Sequence, residues 1–579
     1  MRYHVLASDF DGTLAHDCRV NGATIAALES FLATGRRLVL VTGRELPEIL
    51  KIFPQINLFE WVVAENGALL YQTSTKKEKA IGDAPPEGFV QKLRDRGVGP
   101  ISVGRSIVAT WVPHEKTVLT TIRDMGLEMQ VIFNKGAVMI LPAGINKATG
   151  LTAALKEMGL SPHNAVAVGD AENDHALLRL CEVSVAVANA LPALKETADY
   201  VTSADHGAGV AELIAKIVDD DLDAWGPKLT RHHLSLGKSN DVEVTLPPYG
   251  PCVLIVGPSA SGKSTVTASI LETLTTQKYQ FCIVDPEGDY ESFKHATVIG
   301  GPTGAPVAQE VLQLLQNPEQ NIVISLTGMA IPDRPPFFLS ILPRILEMRA
   351  RTGRPHWLIL DEAHHLMPAD WKPPAGILPQ TWHNVVFITV HPELLEGPLL
   401  ERVDTFLAVG QNADDTLRRA AAAAGANLPP FAASTPAIGE LLLWCRHSSK
   451  PPIVVQIHQT QTERRRHRRK YAEGELPPDR SFYFRGPADK LNLRAQNLLM
   501  FLQIADGVDD ETWAFHMKRG DYAKWFRSGI KDEALAQEAE TISKMPKVTD
   551  VESRMLIRKA VERDYTLPAS RPLPVPGAS

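Results

Sequence analysis

The chain has 579 residues, of which 44% are hydrophobic and 22% charged, which excludes a largely disordered protein. Its length predicts several domains rather than one core. With 60 Lys and Arg against 67 Asp and Glu, the net charge of -7 excludes a uniformly basic nucleic-acid coat, though not a local basic patch.

The five cysteines (Cys18, Cys181, Cys252, Cys282, Cys445) are scattered and form no C-x-x-C. That spacing predicts a reduced protein without a structural zinc or a disulfide framework. No apolar run reaches the roughly 18 residues that span a bilayer. MRYHVLASDFDGT enters a strand directly, without a signal-peptide pattern. The expected location is therefore cytoplasmic, with no membrane partner.

From the N-terminus to about 215, short β-branched runs alternate with helical stretches. RYHVLASD, RRLVLVTG, EWVVAENG and NAVAVGD read as buried strands, with GATIAALESFLATG and NKATGLTAALKEMG as helices between them. Such alternation predicts a parallel sheet covered by helices. Residues 80–145 interrupt it with the strands SIVATWVP and AVMILP and the helix HEKTVLTTIRDMG, an inserted cap. Asp219-Asp220-Asp221 and the polar segment to Asp241 read as a linker with a leading strand. A second α/β pattern follows from PCVLIVG at 251, through YQFCIVD, NIVISL, HWLILDEA, NVVFITVH and DTFLAVG, to LLLWCRH and PPIVVQIH. Next come the basic run Arg464–Lys470 (RRRHRRK), helical segments from LNLRAQNLLMFLQIADG to VESRMLIRKAVERD, and a Pro-rich tail. Trp513, Trp525 and Phe526 read as helix-core residues rather than a base-stacking platform. The expected architecture is α/β throughout the first two domains, 1–218 and 228–460, with a small helical domain over 471–579.

Asp9 and Asp11 lie just past the first strand, in Ser8-Asp9-Phe10-Asp11-Gly12-Thr13. A carboxylate there can attack phosphorus, splitting one hard displacement into two. A second carboxylate two residues on can protonate the leaving oxygen and later deprotonate water. A phosphate dianion beside carboxylates requires cations. Thr42 (in VTGR) and Lys147 (in GINK) supply phosphate-binding groups, and Asp170 and Asp174 (in GDAEND) supply hard oxygen ligands for Mg²⁺.

With these four segments and AENGA at 64–68, the first domain resembles the haloacid dehalogenase (HAD) phosphatases, a Rossmann-like fold, in their Cof-type subclass. The resemblance implies Asp9 as nucleophile and Asp11 as general acid/base. It further implies Thr42 and Lys147 on the phosphate, and Mg²⁺ held among Asp9, Asp11, Asp170 and Asp174. A small phosphorylated compound is the expected substrate. The short cap predicts a site open enough for a larger one.

Gly257-Pro258-Ser259-Ala260-Ser261-Gly262-Lys263-Ser264 fits G-x-x-x-x-G-K-[ST], between a strand and a helix. Backbone N–H groups of such a loop wrap phosphates, Lys263 reaches the terminal ones, and Ser264 offers a hydroxyl to Mg²⁺. Gly257, Gly262, Lys263, Ser264 and Thr265 are thus the expected ATP-binding residues. About a hundred residues on, the strand HWLIL ends in Asp361, a Mg²⁺ ligand by type, and Glu362, which can polarise water. With DPEGDY, DEAH and GELLLW, this half resembles the HerA/FtsK/VirB4-like P-loop ATPases. That resemblance implies ATP hydrolysis and a homo-oligomer, the hexamer among the candidates, with Arg402, Arg418 and Arg419 as candidate fingers. FITVHP places His391 where relatives often have a polar sensor such as Gln.

The leading expectation is a phosphomonoester hydrolase fused to an ATPase. Two alternatives stay open: a nucleic-acid end-processing phosphatase/kinase, with Arg464–Lys470 as a candidate phosphate track, and an ATP-driven DNA-binding ring motor.

Overall fold

The computed structural model describes all residues except 259–260, 370–377, 380, 396, 433–434, 459, 461–475, 477–479, 531, 546–547 and 566–579. The basic run 464–470 and the Pro-rich tail lie outside the described residues. The chain forms two compact units, Met1–His458 and Gln459–Ser579.

The first unit holds two large sheets. In the first, β1 (Val5–Ser8), β2 (Arg37–Val41), β3 (Trp61–Ala64), β4 (Leu69–Gln72) and β5 (Lys77–Ala80) are followed, beyond the cap, by β10 (Ala165–Gly169), β11 (Val183–Ala186) and β12 (Tyr200–Val201). Their spatial order is β12-β11-β10-β1-β2-β3-β4-β5. The central strands are parallel and apolar on both faces because helices cover both. The cap is a separate antiparallel sheet of β6 (Ser102–Val103), β7 (Val108–Trp111), β8 (Met129–Asn134) and β9 (Ala137–Pro142), ordered β6-β7-β9-β8. The helices Phe89–Asp95 and Glu115–Asp124 pack on it through Phe89, Leu93, Val118 and Ile122.

The segment expected to be a linker is structured. Helix His206–Asp220 runs through Asp219 and Asp220. Beyond it, β13 (Leu234–Ser239) and β14 (Val242–Leu246) pair as a hairpin about Asn240 and Asp241, at φ 48° and 62°, a turn that Asn and Asp tolerate.

That hairpin edges the second sheet, which contains β15 (Cys252–Val256), β16 (Phe281–Asp285), β17 (Thr297–Gly300), β18 (Ile322–Ser325), β19 (Trp357–Leu360), β20 (Val385–Thr389), β21 (Thr405–Val409), β22 (Glu440–Cys445) and β23 (Ile453–Ile457). The order is β14-β13-β23-β22-β21-β15-β20-β19-β16-β18-β17. One strand, β20, therefore separates the phosphate-loop strand β15 from the acid-bearing β19.

The two sheets meet at the starts of their strands. Arg354, just before β19, donates to the Gly159 carbonyl across the junction at 3.1 Å from Nε, and to Gln280 at 2.7 Å. His163 stacks on Tyr279 with ring centroids 3.7 Å apart. Buried Glu182 accepts from Arg2, His163 and Tyr279, each at 2.7 Å.

In the second unit, β24 (Phe482–Phe484) pairs with β25 (Leu493–Ala495). Helices Leu498–Gly507, Asp510–Arg519, Asp521–Ser528, Glu533–Ser543 and Asp550–Tyr565 follow. LNLRAQ is thus not helical: Asn497 accepts from Met500 N as an N-cap, and the residues before it pair as a strand. Trp513, Trp525 and Phe526 are core residues, as expected.

Candidate active sites

Asp9 leaves the C-terminal end of β1 and Asp170 that of neighbouring β10, the edge where parallel sheets present their ligands. Lys147 is the first residue of the helix Lys147–Glu157, whose N-cap Asn146 accepts from the Ala148 and Thr149 amides. That cap aims a fully buried ammonium inward. Its Nζ donates to Asp9 Oδ1 at 2.5 Å and to Asp174 Oδ1 at 2.6 Å. Asp174 Oδ2 accepts from the Asp170 and Ala171 amides, both at 3.0 Å. Ligand oxygens of Asp9, Asp170 and Asp174 lie within 4.8 Å of one another.

Lys147 lies against only two of the three buried carboxylates. Burial and the neighbouring Asp174 push Asp9 up to about 8, and burial also raises Asp170. Burial opposes the charge on Lys147, yet Asp174 and Asp9 hold its pKa above the usual value. Such a site favours a further cation, and its all-oxygen donors suit Mg²⁺.

Asp11's carboxylate does not join that trio. Arg44 grips it from Nε and Nη2, both at 2.6 Å, and also pairs with Glu48. Thr42 is buried at the end of β2, beside the Asp9–Asp11 turn by register, and its Oγ1 accepts from Arg44 N at 3.2 Å.

Two further groups make contacts that the sequence reading did not assign. Lys135, on the cap, donates to Asp170 Oδ2 at 2.6 Å and to the Asp11 carbonyl at 3.2 Å. The cap therefore seats on the core, contrary to the open site expected from its length. Gly12 makes the approach feasible: a Cβ there would lie 2.4 Å from both Lys135 Nζ and Asp170 Oδ2, and its φ is +84°. Glu65, in AENG, accepts from the cap amides of Arg105, Ser106 and Ile107 at 2.9, 2.8 and 3.2 Å. The available signals were a charged residue at a β-hairpin tip and an acid two residues before a glycine.

In the second sheet, Gly262, at φ +106°, turns the loop into helix Lys263–Thr276. A Cβ on Gly257 would come 2.5 Å from Ser261 Oγ. Lys263 Nζ donates to the Gly257 and Pro258 carbonyls at 3.0 and 3.1 Å. Ser264 Oγ donates to Asp289 Oδ2 at 3.0 Å. Thr265 N donates to the Gly262 carbonyl at 2.9 Å. Asp361 is buried, and desolvation together with Asp285 and Asp289 holds its pKa well above the carboxylate range. Glu362 takes a left-handed backbone, at φ 39°, and its buried Oε2 makes no hydrogen bond but lies 3.4 Å from His364 Nδ1. Its desolvation raises its pKa. The loop glycines, the lysine, the hydroxyl and the two carboxylates fit ATP with Mg²⁺.

Thr389, at the end of β20, bonds His364 Nδ1 and the His391 amide, both at 3.0 Å, while the His391 ring turns to Glu393. Among the candidate fingers, Arg402 donates to the Pro398 carbonyl, Arg418 lies over Phe431 and Arg419 pairs with Asp415.

The two sites define a hydrolase joined to a nucleotide-binding module, and the comparisons agree. The haloacid dehalogenase-like hydrolase family matches residues 6–94 and 120–214, and the AAA domain matches 249–384. Phosphoglycolate phosphatase 2 of Saccharolobus solfataricus is 32% identical over 221 residues, 37% of this chain and 92% of that protein. The phosphoglycolate phosphatase of Methanothermobacter thermautotrophicus is 32% identical over 225 residues, 37% of this chain and 98% of that one. A haloacid dehalogenase-like hydrolase structure from Bacteroides thetaiotaomicron aligns at 21% identity and TM-score 0.34, covering 37% of this chain and 99% of that one. The chain belongs to the haloacid dehalogenase-like hydrolases and carries an AAA domain behind the hydrolase. Magnesium and ATP are the groups that these two domains use. No helix among the described residues is long and apolar enough to cross a membrane.

Proposed function

We propose that this protein is a Mg²⁺-dependent phosphomonoester hydrolase acting through phospho-Asp9, fused to an ATP-hydrolysing module. The observation that carries the first half is the buried Asp9–Lys147–Asp174 array at the strand ends. An Asp9 oxygen attacks phosphorus, and the ester P–O bond breaks. Asp11, once released from Arg44, gives the leaving oxygen a proton. Asp11 then takes a proton from water, whose oxygen displaces Asp9 and frees inorganic phosphate. Lys147 holds Asp9 in place and offsets charge on the phosphoryl oxygens, with Thr42 at the same edge. Asp9, Asp170 and Asp174 would hold Mg²⁺, which supplies charge neutralisation to a phosphate dianion.

In the second half, Gly257, Gly262, Lys263, Ser264 and Thr265 bind the ATP phosphates. Asp361 and Ser264 would hold that nucleotide's Mg²⁺. Glu362, whose buried Oε2 lies 3.4 Å from His364 Nδ1, orients and deprotonates water.

A seated cap favours small esters over strand ends, and the relatives' names make phosphoglycolate the first ester to try. Rapid acid quench during turnover, then peptide mass analysis, tests the mechanism. The expected result is a phosphoryl group on Asp9 only while ester is present. Turnover with an unmodified Asp9 would refute the nucleophile.

A further inference from the structure

Three cations stand at the phosphatase site, and only one of them belongs to the cap. Lys147 is committed to Asp9 and Asp174, and Arg44 to Asp11 and Glu48. Lys135 is different in kind. Its side chain is 47% exposed, while the Asp170 carboxylate that it touches is 3% exposed. Its stem is the two-residue turn between β8 and β9, where Asn134 pairs with Ala137. Lys135 and Gly136 stand at φ 48° and 89°. Hairpins favour that conformation, but Asn or Asp normally fills its first position. A lysine held there is strained backbone at a ligand-facing tip. Strands β8 and β9 fix the tip against the core, because β8 packs on the turn Glu172–Asp174 and Met139 stands over Gly43.

The ammonium rests on two oxygens, Asp170 Oδ2 and the Asp11 carbonyl, beside the carboxylate trio. A divalent cation among Asp9, Asp170 and Asp174 would repel it. The displaced ammonium has a four-carbon stem and open space on its exposed side. It therefore stays within the cleft under the cap, next to whatever the substrate carries beyond its phosphate.

We propose that Lys135 is the specificity residue of this phosphatase, competing with the metal at rest and pairing with a second anionic group of the substrate during turnover. This rests on the phosphatase reading above and narrows it to small monoesters that bear a carboxylate. Lys147 cannot take the same role without abandoning Asp9 and Asp174, and Arg44, once it releases Asp11, still pairs with Glu48 on the core.

Two measurements on full-length Lys135→Met and Lys135→Arg proteins test it. In calorimetric titration with Mg²⁺ alone, without nucleotide or ester, Lys135→Met should bind the phosphatase-site ion about two- to fivefold more tightly, the scale of a partly exposed charge contact. In turnover, kcat/KM for phosphoglycolate relative to ethyl phosphate, which lacks the carboxylate, should fall about tenfold or more. Lys135→Arg should keep most of that preference. Equal losses on the two esters, or weaker Mg²⁺ binding, would overturn the proposal. If the unaltered protein turned over neither ester, the phosphatase reading itself would fail. The titration, which needs no turnover, would still decide whether lysine and metal compete.

Discussion

At the scale of single residues, Lys147 is the group on which the phosphatase site depends. It is fully buried and bonded to two buried carboxylates. Removing one partner of such a set leaves uncompensated charge in a dry environment, which typically costs about 3–5 kcal/mol. Lys147→Met should therefore lower the urea midpoint substantially in chelator. Mg²⁺ should restore part of the loss, because the ion replaces the missing positive charge. A midpoint unchanged in chelator would mean that the carboxylates are protonated and need no lysine.

This part of the site was legible in the sequence, since Asp9, Lys147, Asp170 and Asp174 sit in short segments whose spacing to the preceding strand sets their position. Arg44's grip on Asp11 and Lys135's reach from the cap were not. Each depends on which distant turns the fold brings together, and local spacing carries no trace of it.

At the scale of elements, Glu65 couples the core sheet to the cap. Its carboxylate is buried and accepts three amides from one cap loop. Glu65→Ala would leave those amides without their acceptor and cost about 1–3 kcal/mol for the stranded groups. The cap should loosen. Ester turnover should fall at least tenfold while ATP hydrolysis is retained, and hydrogen exchange at Arg105–Ile107 should accelerate. Unchanged exchange there would show that the cap is held without Glu65, by Lys135 and its apolar contacts.

The buried strands were legible because parallel strands covered on both faces read as continuous apolar runs. The second hairpin strand β14, the edge strand Thr297–Gly300 and the short strand Leu493–Ala495 escaped. Their residues are partly exposed or polar, and pairing partners rather than composition make them strands.

At the scale of the whole first unit, the two sheets meet through the starts of their strands. Both candidate sites, at the strand ends, face away from the junction. No phosphoryl group passes directly between them in this arrangement, and any coupling runs through the packed junction.

That junction should be acid-sensitive. His356 is buried there, accepts from Gln280 N at 2.9 Å, and burial holds its pKa well below the usual value. Burial likewise lowers His4 to about 4. Such histidines stay neutral in the folded state but take protons when unfolded. Their stabilising contribution is complete above about pH 6.5 and is lost as pH falls toward the folded value, at up to about 1.4 kcal/mol per pH unit for each. His356→Asn, whose amide oxygen can accept the same bond, should lose less stability between pH 7 and pH 5 than the unaltered protein. Parallel losses in chemical denaturation would contradict this.

The most direct test of two separate hydrolytic centres is a crossed assay of inorganic phosphate release with Mg²⁺. It compares Asp9→Asn and Lys263→Ala on a small phosphate ester and on ATP. The account predicts that Asp9→Asn abolishes ester cleavage and keeps ATP hydrolysis, while Lys263→Ala does the reverse. Loss of both activities in either variant, or ester cleavage surviving in Asp9→Asn, would contradict it.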